Sequence, residues 1–182
     1  MKMVRYCLLS GSLRKESFNT KLLHIAAKYL GCPSSTIVSL SNLSIPLYSG
    51  DIEAVAIPDG VQKLAQIIDQ AQAIIIASPE YNYGISGVLK NTIDWLSRVR
   101  PMPLKQKPLL LMAASPGQIA GIRGLWHTRV PLEGLGNYVY PEMFSLGNSF
   151  QALDENGFVN PDDQKRLTTL LDNFRKFSQA LT

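Results

Sequence analysis

Apolar positions along the chain alternate between two rhythms, short β-compatible runs and longer stretches with a helical repeat. Val4 to Ser10 (VRYCLLS) is a short, mostly apolar run that meets Gly11 and Ser12 at once, and it predicts the first strand. From Asn19 onward Leu22, Leu23, Ile25, Ala26, Tyr29 and Leu30 recur at helical spacing, which predicts a helix with one apolar face, ended by Gly31 and Pro33. Thr36 to Leu40 (TIVSL) alternates as a second strand. After a stretch punctuated by Pro and Gly, Val61, Leu64, Ala65 and Ile68 form the next helical stripe, with Asp59 as its N-cap. Ala73 to Ala77 (AIIIA) has no polar residue at all, as expected of a central parallel strand covered on both faces.

Ser86 is placed to cap a third helix whose Val88, Leu89, Thr92, Ile93 and Leu96 share a face, before prolines break the pattern between Arg98 and Pro103. Pro108 to Ser115 (PLLLMAAS) repeats the character of the third strand, and a fourth helix runs through Leu125, Thr128, Arg129 and Leu132. Tyr138 to Tyr140, extending at most to Ser145, is the last strand. Pro161, followed by Asp162 and Asp163, opens a final helix that buries Leu167, Leu170, Leu171, Phe174 and Phe177.

The order βαβαβαβαβα specifies an α/β fold: a doubly wound, five-stranded parallel sheet of order 2-1-3-4-5 with helices on both faces. At 182 residues the chain is expected to form a single domain over 1–182. In such a sheet ligands sit outside the carboxyl ends of the strands at the switch point, here between strands one and three. Three loops therefore matter: SGSLRKESFNT, SPEYNYGIS and ASPGQIAGIRG.

Composition narrows the partners. Lys and Arg number 18 against 14 Asp and Glu, giving +4, yet no window is dense enough in Lys and Arg for a nucleic-acid stripe. A modest positive field suits a small anionic ligand. Charged residues make up 18% of the chain, below the roughly 25% usual for soluble domains, so part of the surface is expected to be covered by another subunit. No apolar run approaches the roughly 20 residues of a membrane span, and the first residues lack a signal-peptide core, so a soluble cytoplasmic protein with no membrane role is expected. Cys7 and Cys32 form neither a disulfide framework nor a zinc-ligand pair, and His24 and His127 stand far apart, so no metal is expected.

The first loop carries Ser10, Ser12, Arg14, Ser17, Asn19 and Thr20 into the start of a helix, where unpaired N–H groups and the macrodipole favour an anion. Hydroxyls and an amide can donate to phosphate oxygens while Arg14 supplies charge. The plainer alternative is that Ser17 or Asn19 caps the helix and Arg14 is solvated. It is not a Walker A loop, since Lys15 is followed by Glu16, and no GxGxxG follows the first strand. A phosphatase cradle is also disfavoured, because Cys7 lies inside a strand and is one residue too far from Arg14, which makes it a structural cysteine.

The second loop, Pro79 to Gly84, places Tyr81, Asn82 and Tyr83 on a stiff turn suited to a planar heterocycle, although tyrosines also serve simply to cover the end of a sheet. Asn91 and Asp94 are positioned to brace that loop from beneath, and Trp95 reads as core. In the third loop Gly117, Gly121 and Gly124 let a ring or sugar approach the backbone after Ser115. Arg123 and Arg129 follow, either to meet a dinucleotide or a neighbouring subunit or, more plainly, as solvated surface arginines.

GSLRKESFN at 11–19 and SPEYNYGISGVLKNTIDWLSR at 78–98 resemble the NADPH-dependent FMN reductase family, the flavodoxin-like flavoenzymes that include quinone, azo-dye and chromate reductases. Both motifs stand at the expected strand ends, and the resemblance extends over essentially all 182 residues. It implies that Ser12, Arg14, Ser17, Phe18 and Asn19 grip the phosphate and ribityl chain of FMN. It further implies that Pro79, Glu80, Tyr81 and Asn82 lie along the flavin ring, with Tyr83 and Gly84 adjacent, and that Ser115 makes a third contact. The third loop departs from the tighter glycine-rich form common in the family, since GQIAGIRG interposes Gln118 and Ile119.

The resemblance also implies that FMN carries the chemistry, with no catalytic acid or base from the chain. NADPH or NADH would be the donor in a ping-pong cycle, a quinone, azo compound, free flavin or metal oxyanion the small-molecule acceptor, and a homodimer or homotetramer the assembly. The rival from another class is a flavodoxin-type FMN electron carrier or a redox sensor without significant NAD(P)H turnover. The arginine in the phosphate loop and the net charge of +4 stand against the carrier.

Overall fold

The computed structural model describes residues 4–31 and 36–182; Cys32 and Pro33 lie outside the described residues. In chain order the elements are β1 (Tyr6–Ser10), α1 (Phe18–Leu30), β2 (Thr36–Ser39), α2 (Gly50–Val55), α3 (Asp59–Gln70), β3 (Ala73–Ala77), β4 (Glu80–Tyr81), β5 (Gly84–Ile85), α4 (Gly87–Leu96), β6 (Pro108–Ala114), α5 (Ile122–Gly134), β7 (Tyr138–Val139), β8 (Phe144–Leu146), α6 (Ser149–Ala152) and α7 (Pro161–Leu181). The main sheet runs β2-β1-β3-β6-β7, with β8 also paired to β6. Every pairing in it is parallel. The reversal of strand order between β1 and β3 is that of the flavodoxin-like doubly wound arrangement.

The sheet has six strands, not the five expected. The last strand is divided: β7 pairs with Pro108 and Leu109, whereas β8 pairs with Met112 to Ala114. Pro141 lies in the gap, and a proline has no N–H to give to a ladder. The second departure is an antiparallel hairpin, β4–β5, within what the sequence presents as a loop.

Period-two alternation divides the strands between two apolar layers. Cys7, Leu9, Ile74, Ile76, Leu109 and Leu111 face α3, α4 and α5, where Leu64, Ile68, Ile93, Trp95 and Leu125 meet them. Tyr6, Leu8, Ala73, Ile75, Leu110 and Met112 face α1 and α7, packing on Leu22, Leu23, Leu171 and Phe174. Removing one fully buried residue such as Ile75 to Ala is expected to cost about 2–5 kcal/mol. Burial pushes the Cys7 thiol up to about 12, which leaves it protonated and inert, as its place inside β1 anticipated.

Helix ends follow local chemistry. The Ser17 hydroxyl accepts from the Thr20 amide at the start of α1, and Gly31 closes that helix at φ 59°. Ser86 caps α4 by accepting from the Leu89 amide. Asp59 is not the cap of α3: Pro58 holds that position with no side-chain bond, and Asp59 begins the helix, where its charge suits the macrodipole. Asn160 caps α7 ahead of Pro161. Trp95 is fully buried and donates to the Pro46 carbonyl.

Candidate functional site

The turn after β1 is pulled tight against the turn after β3. The Gly11 amide donates to the Ala77 carbonyl at 2.8 Å, and the Ser86 hydroxyl donates to the Gly11 carbonyl at 2.9 Å while capping α4. A Cβ on Gly11 would lie 2.5 Å from the Ser78 Oγ and 3.2 Å from its Cα, so only glycine fits here. Ser86 therefore fixes the start of α4 and the course of the first loop together. Its capping role was legible in the sequence, but its bond across to Gly11 was not.

Beyond Gly11 the first loop is a chain of short polar links. The Ser12 amide donates to the Ser10 hydroxyl, which shares a 2.8 Å bond with the Thr20 hydroxyl, and the Arg14 amide donates to the Ser12 hydroxyl. Ser12 and Ser17 are buried and Arg14 is exposed. The Arg14 guanidinium has no ion pair or hydrogen bond among the described residues. Thr20 is bonded to the Ser17 cap, whereas the Phe18 and Asn19 amides in the first turn of α1 have no partner among the described residues. Unpaired amides thus stand at the positive end of a 13-residue helix, on the loop that also carries the uncommitted Arg14.

Asn19 and Phe18 are engaged differently. The buried Asn19 carboxamide is bonded at both ends to the Ala114 peptide, its Nδ2 donating at 3.0 Å and its Oδ1 accepting at 2.9 Å. Phe18 lies edge-on to Phe150, with ring centroids 4.9 Å apart, and carries Lys21 over its face. Phe150 follows β8 and had no signal in the sequence connecting it to the first loop.

The second loop is the β4–β5 hairpin, with Asn82 at φ 48° and Tyr83 at φ 66° as its central residues. Two consecutive positive φ values match the right-handed twist of a two-residue hairpin. Asn tolerates this region, but a tyrosine held there stores strain of about 1–3 kcal/mol. The usual Asn-Gly signal is absent, which is why the hairpin could not be read from the sequence. Tyr81 and Tyr83 are exposed at 49% and 66%, an uncommon fate for two neighbouring aromatics.

Glu80, at the base of the hairpin, turns its carboxylate to α5. Its Oε1 accepts from the Arg123 Nε at 2.9 Å and lies 2.7 Å from the Arg123 Nη2, while its Oε2 accepts from the Gly124 amide at 3.0 Å. Burial alone pushes this carboxyl up, but the Gly124 amide and the Arg123 guanidinium outweigh it and hold the group below the usual carboxylate range. Arg123 also lies over the Tyr83 ring, 4.3 Å from its centroid. A Cβ on Gly124 would come within 3.1 Å of the Glu80 Cα and the Gly84 carbonyl, so this glycine lets α5 abut the hairpin.

Neither arginine of the third loop and helix is a freely solvated side chain. Arg123 is tied to Glu80 and Tyr83, and Arg129 donates to the Tyr140 carbonyl and pairs with Glu133. Asn91 does not brace the second loop: it accepts from the Tyr48 amide and donates to the Pro46 carbonyl, fixing the chain that follows β2, and Asp94 pairs with Lys90. The spacing of Asn91 on α4 showed a side chain able to bind backbone, but not which backbone would pass beneath it.

Ser115 stands at the end of β6, its hydroxyl accepting from the Gly117 amide and its carbonyl from the Ser149 amide. Gly147 lies under the third loop, where a Cβ would meet the Gln118 and Gly117 carbonyls at 3.0 and 3.1 Å. Cavities of about 360 and 500 Å³ open along α7, lined by residues such as Tyr29 and Gln164 in one and Glu142 and Lys165 in the other, away from all three loops. Size alone does not locate the site. The unpaired donors of the first loop at the switch point are the stronger guide, because they specify what a ligand must offer.

The sheet order and the three loops at its carboxyl edge define a flavodoxin-like α/β protein. Residues 4–151 match the family model described as NADPH-dependent FMN reductase, and the chain belongs to that family. It is 35% identical over 162 residues to an NAD(P)H-dependent FMN reductase of Pseudomonas aeruginosa, covering 87% of this chain and 86% of that one. It is 42% identical over 144 residues to a quinone reductase of Escherichia coli K12, covering 79% and 77%. Among solved structures it is similar to FerB, a flavoenzyme NAD(P)H:acceptor oxidoreductase from Paracoccus denitrificans, with a TM-score of 0.82, 26% identity and coverage of 97% and 98%.

Proposed function

We propose that this chain is an FMN-dependent NAD(P)H oxidoreductase that delivers two electrons to quinone-type acceptors. The observation that carries the reading is the pair of unpaired Phe18 and Asn19 amides at the start of α1, on the loop that carries the uncommitted Arg14 and that Gly11 ties to the strand leading into the aromatic hairpin. That donor set fits a phosphate monoester joined to a planar ring. The relatives named for FMN and quinone reduction support the choice of cofactor and acceptor.

In this reading Ser12, Arg14 and Ser17, with the Phe18 and Asn19 amides, hold the phosphate end. Pro79, Glu80, Tyr81, Asn82, Tyr83 and Gly84 shape the platform for the ring, and Ser115 bounds its far side. When bound, FMN supplies hydride acceptance from NADPH or NADH and two-electron transfer onward. The chain's own part is to hold the phosphate by charge, orient the ring against backbone amides, and leave one ring face open for donor and acceptor in turn. No protein acid or base is needed for that work.

A homodimer or homotetramer completes the proposal. It is supported by the low charged fraction of 18% and by Trp126 and Val130 standing 56% and 70% exposed on α5. No helix among the described residues is long and apolar enough to cross a membrane. Use of the NAD(P)H pool favours the cytoplasm.

The test is an anaerobic absorbance spectrum of the protein reconstituted with FMN, recorded before and after one equivalent of NADPH and then of NADH. Bleaching of the flavin bands within seconds, and their return on adding a quinone, is the expected result. Bound flavin that neither nucleotide reduces would replace this reading with that of an electron carrier or sensor.

A further inference from the structure

The most heavily braced feature near the three loops is the Glu80 carboxylate, and its bonds all run to α5. The side chain is only 9% exposed and bridges the Arg123 guanidinium and the Gly124 amide. Arg123 in turn lies over Tyr83, the residue held at φ 66° in the hairpin tip. A tyrosine stays in that backbone region only where its surroundings over-determine it. Here the base of the hairpin is fixed through Glu80 and its tip through the Tyr83 ring, and one guanidinium makes both contacts. The approach of α5 that permits this depends on Gly124, whose missing side chain leaves room for the Glu80 and Gly84 backbone.

We propose that the Glu80–Arg123 pair is a latch that holds the Asn82–Tyr83 tip in its left-handed conformation, which makes Arg123 a positioning residue for the ring end of the flavin. The inference rests on the flavin reading of the site given above. Arg123 acts through the hairpin and touches no phosphate; Arg14 does the opposite. The two arginines of the site therefore divide the cofactor between them, one end each. The planar guanidinium is essential to this role, because it must make two bonds to a carboxylate and stack on a ring at once, a combination an ammonium group cannot reproduce.

The experiment compares wild type, Arg123→Ala, Arg123→Lys and Glu80→Gln in two measurements. The first is hydrogen exchange of the apo-protein over residues 81–85. The second is binding of FMN and of riboflavin, which has the ring without the phosphate, followed by quenching of flavin fluorescence. Arg123→Ala is expected to lose protection in 81–85 and to weaken FMN and riboflavin by the same factor, about tenfold. Arg123→Lys and Glu80→Gln are expected to fall between it and wild type. Unchanged exchange in Arg123→Ala would overturn the latch. Loss of FMN affinity with riboflavin unaffected would overturn the positioning role and place Arg123 at the phosphate. Failure of the wild-type chain to bind either flavin would overturn the flavin reading and the positioning role with it, while the exchange data alone would still decide the latch.

Discussion

Asn19 carries the β6 ladder past the point where its neighbouring strand ends. The Ala114 amide and carbonyl both bond the Asn19 carboxamide, at 2.9 and 3.0 Å. In a parallel ladder alternate residues of one strand address the same neighbour, and Met112, two residues earlier, still accepts from the Ser78 amide. At Pro79 the chain turns away from β6 into the hairpin. Asn19 substitutes for the missing strand and fastens the first turn of α1 to the sheet.

Asn19→Ala leaves two buried backbone groups without partners, at about 1–3 kcal/mol each. The expected outcome is a loss of about 2–4 kcal/mol in urea unfolding. Asn19→Asp is expected to be no better, because a carboxylate oxygen would face the Ala114 carbonyl. If Asn19 served only to donate to a ligand, both variants would retain wild-type stability in the apo-protein.

Gly11→Ala tests the contact between the first two loops. The added Cβ meets the Ser78 side chain at 2.5 and 2.8 Å and its Cα at 3.2 Å, so backbone must move. A cost of about 1–3 kcal/mol is expected from overpacking at such a site. The double variant Gly11→Ala/Ser78→Gly should recover part of it, a coupling that a double-mutant cycle measures directly. Gly60→Ala is the contrasting case outside the three loops: its Cβ would fall 1.7 Å from the Leu43 carbonyl, so stability should collapse far more than in Gly11→Ala.

Much of this architecture was legible in the chain itself. Runs such as AIIIA and PLLLMAAS have no other stable place than the centre of a covered parallel sheet, and the helical stripes on α1, α3 and α7 bury most of the residues their spacing predicts; Ile25 and Phe177 are only half-buried, and Tyr29 is exposed at the edge of the α1 face, where its hydroxyl donates to Asp172. The order of strands and helices then placed the three loops. What could not be read were features set by residues distant in sequence. The bond between Glu80 and Arg123 spans 43 positions and leaves no periodic trace. The Asn82–Tyr83 turn lacks glycine at its centre, so its strain is visible only in the dihedral angles. The division of the last strand follows from Pro141, yet a proline there is equally compatible with a strand that simply ends.

Glu80 gives the molecule an acid-sensitive contact. Its carboxyl titrates below its ordinary value of 4.5 in the folded chain, so the charged form is favoured by folding. The stability it contributes is complete above that ordinary value and is lost as pH falls through the lower folded value. Urea midpoints measured between pH 7 and pH 3 should therefore show wild type above Glu80→Gln at neutral pH, with the gap closing in acid. A gap that persisted unchanged at the acid end would mean that the carboxylate charge is not what binds Arg123 and the Gly124 amide.

Arg14 is the cation of the first loop assigned to the phosphate, and its freedom is what makes the prediction sharp. Because its guanidinium has no protein partner among the described residues, Arg14→Ala should leave the urea midpoint of the apo-protein unchanged. Affinity for FMN should fall about ten- to a hundredfold, corresponding to one charge-assisted contact of about 1.5–3 kcal/mol. Riboflavin, which has no phosphate, should bind the variant and wild type alike. The difference in FMN affinity should also narrow as salt is raised, since an exposed cation and a phosphate are screened within about 8 Å at physiological ionic strength. An Arg14→Ala protein that held FMN as tightly as wild type would move the phosphate away from the start of α1, and the assignment of the first loop would fall with it.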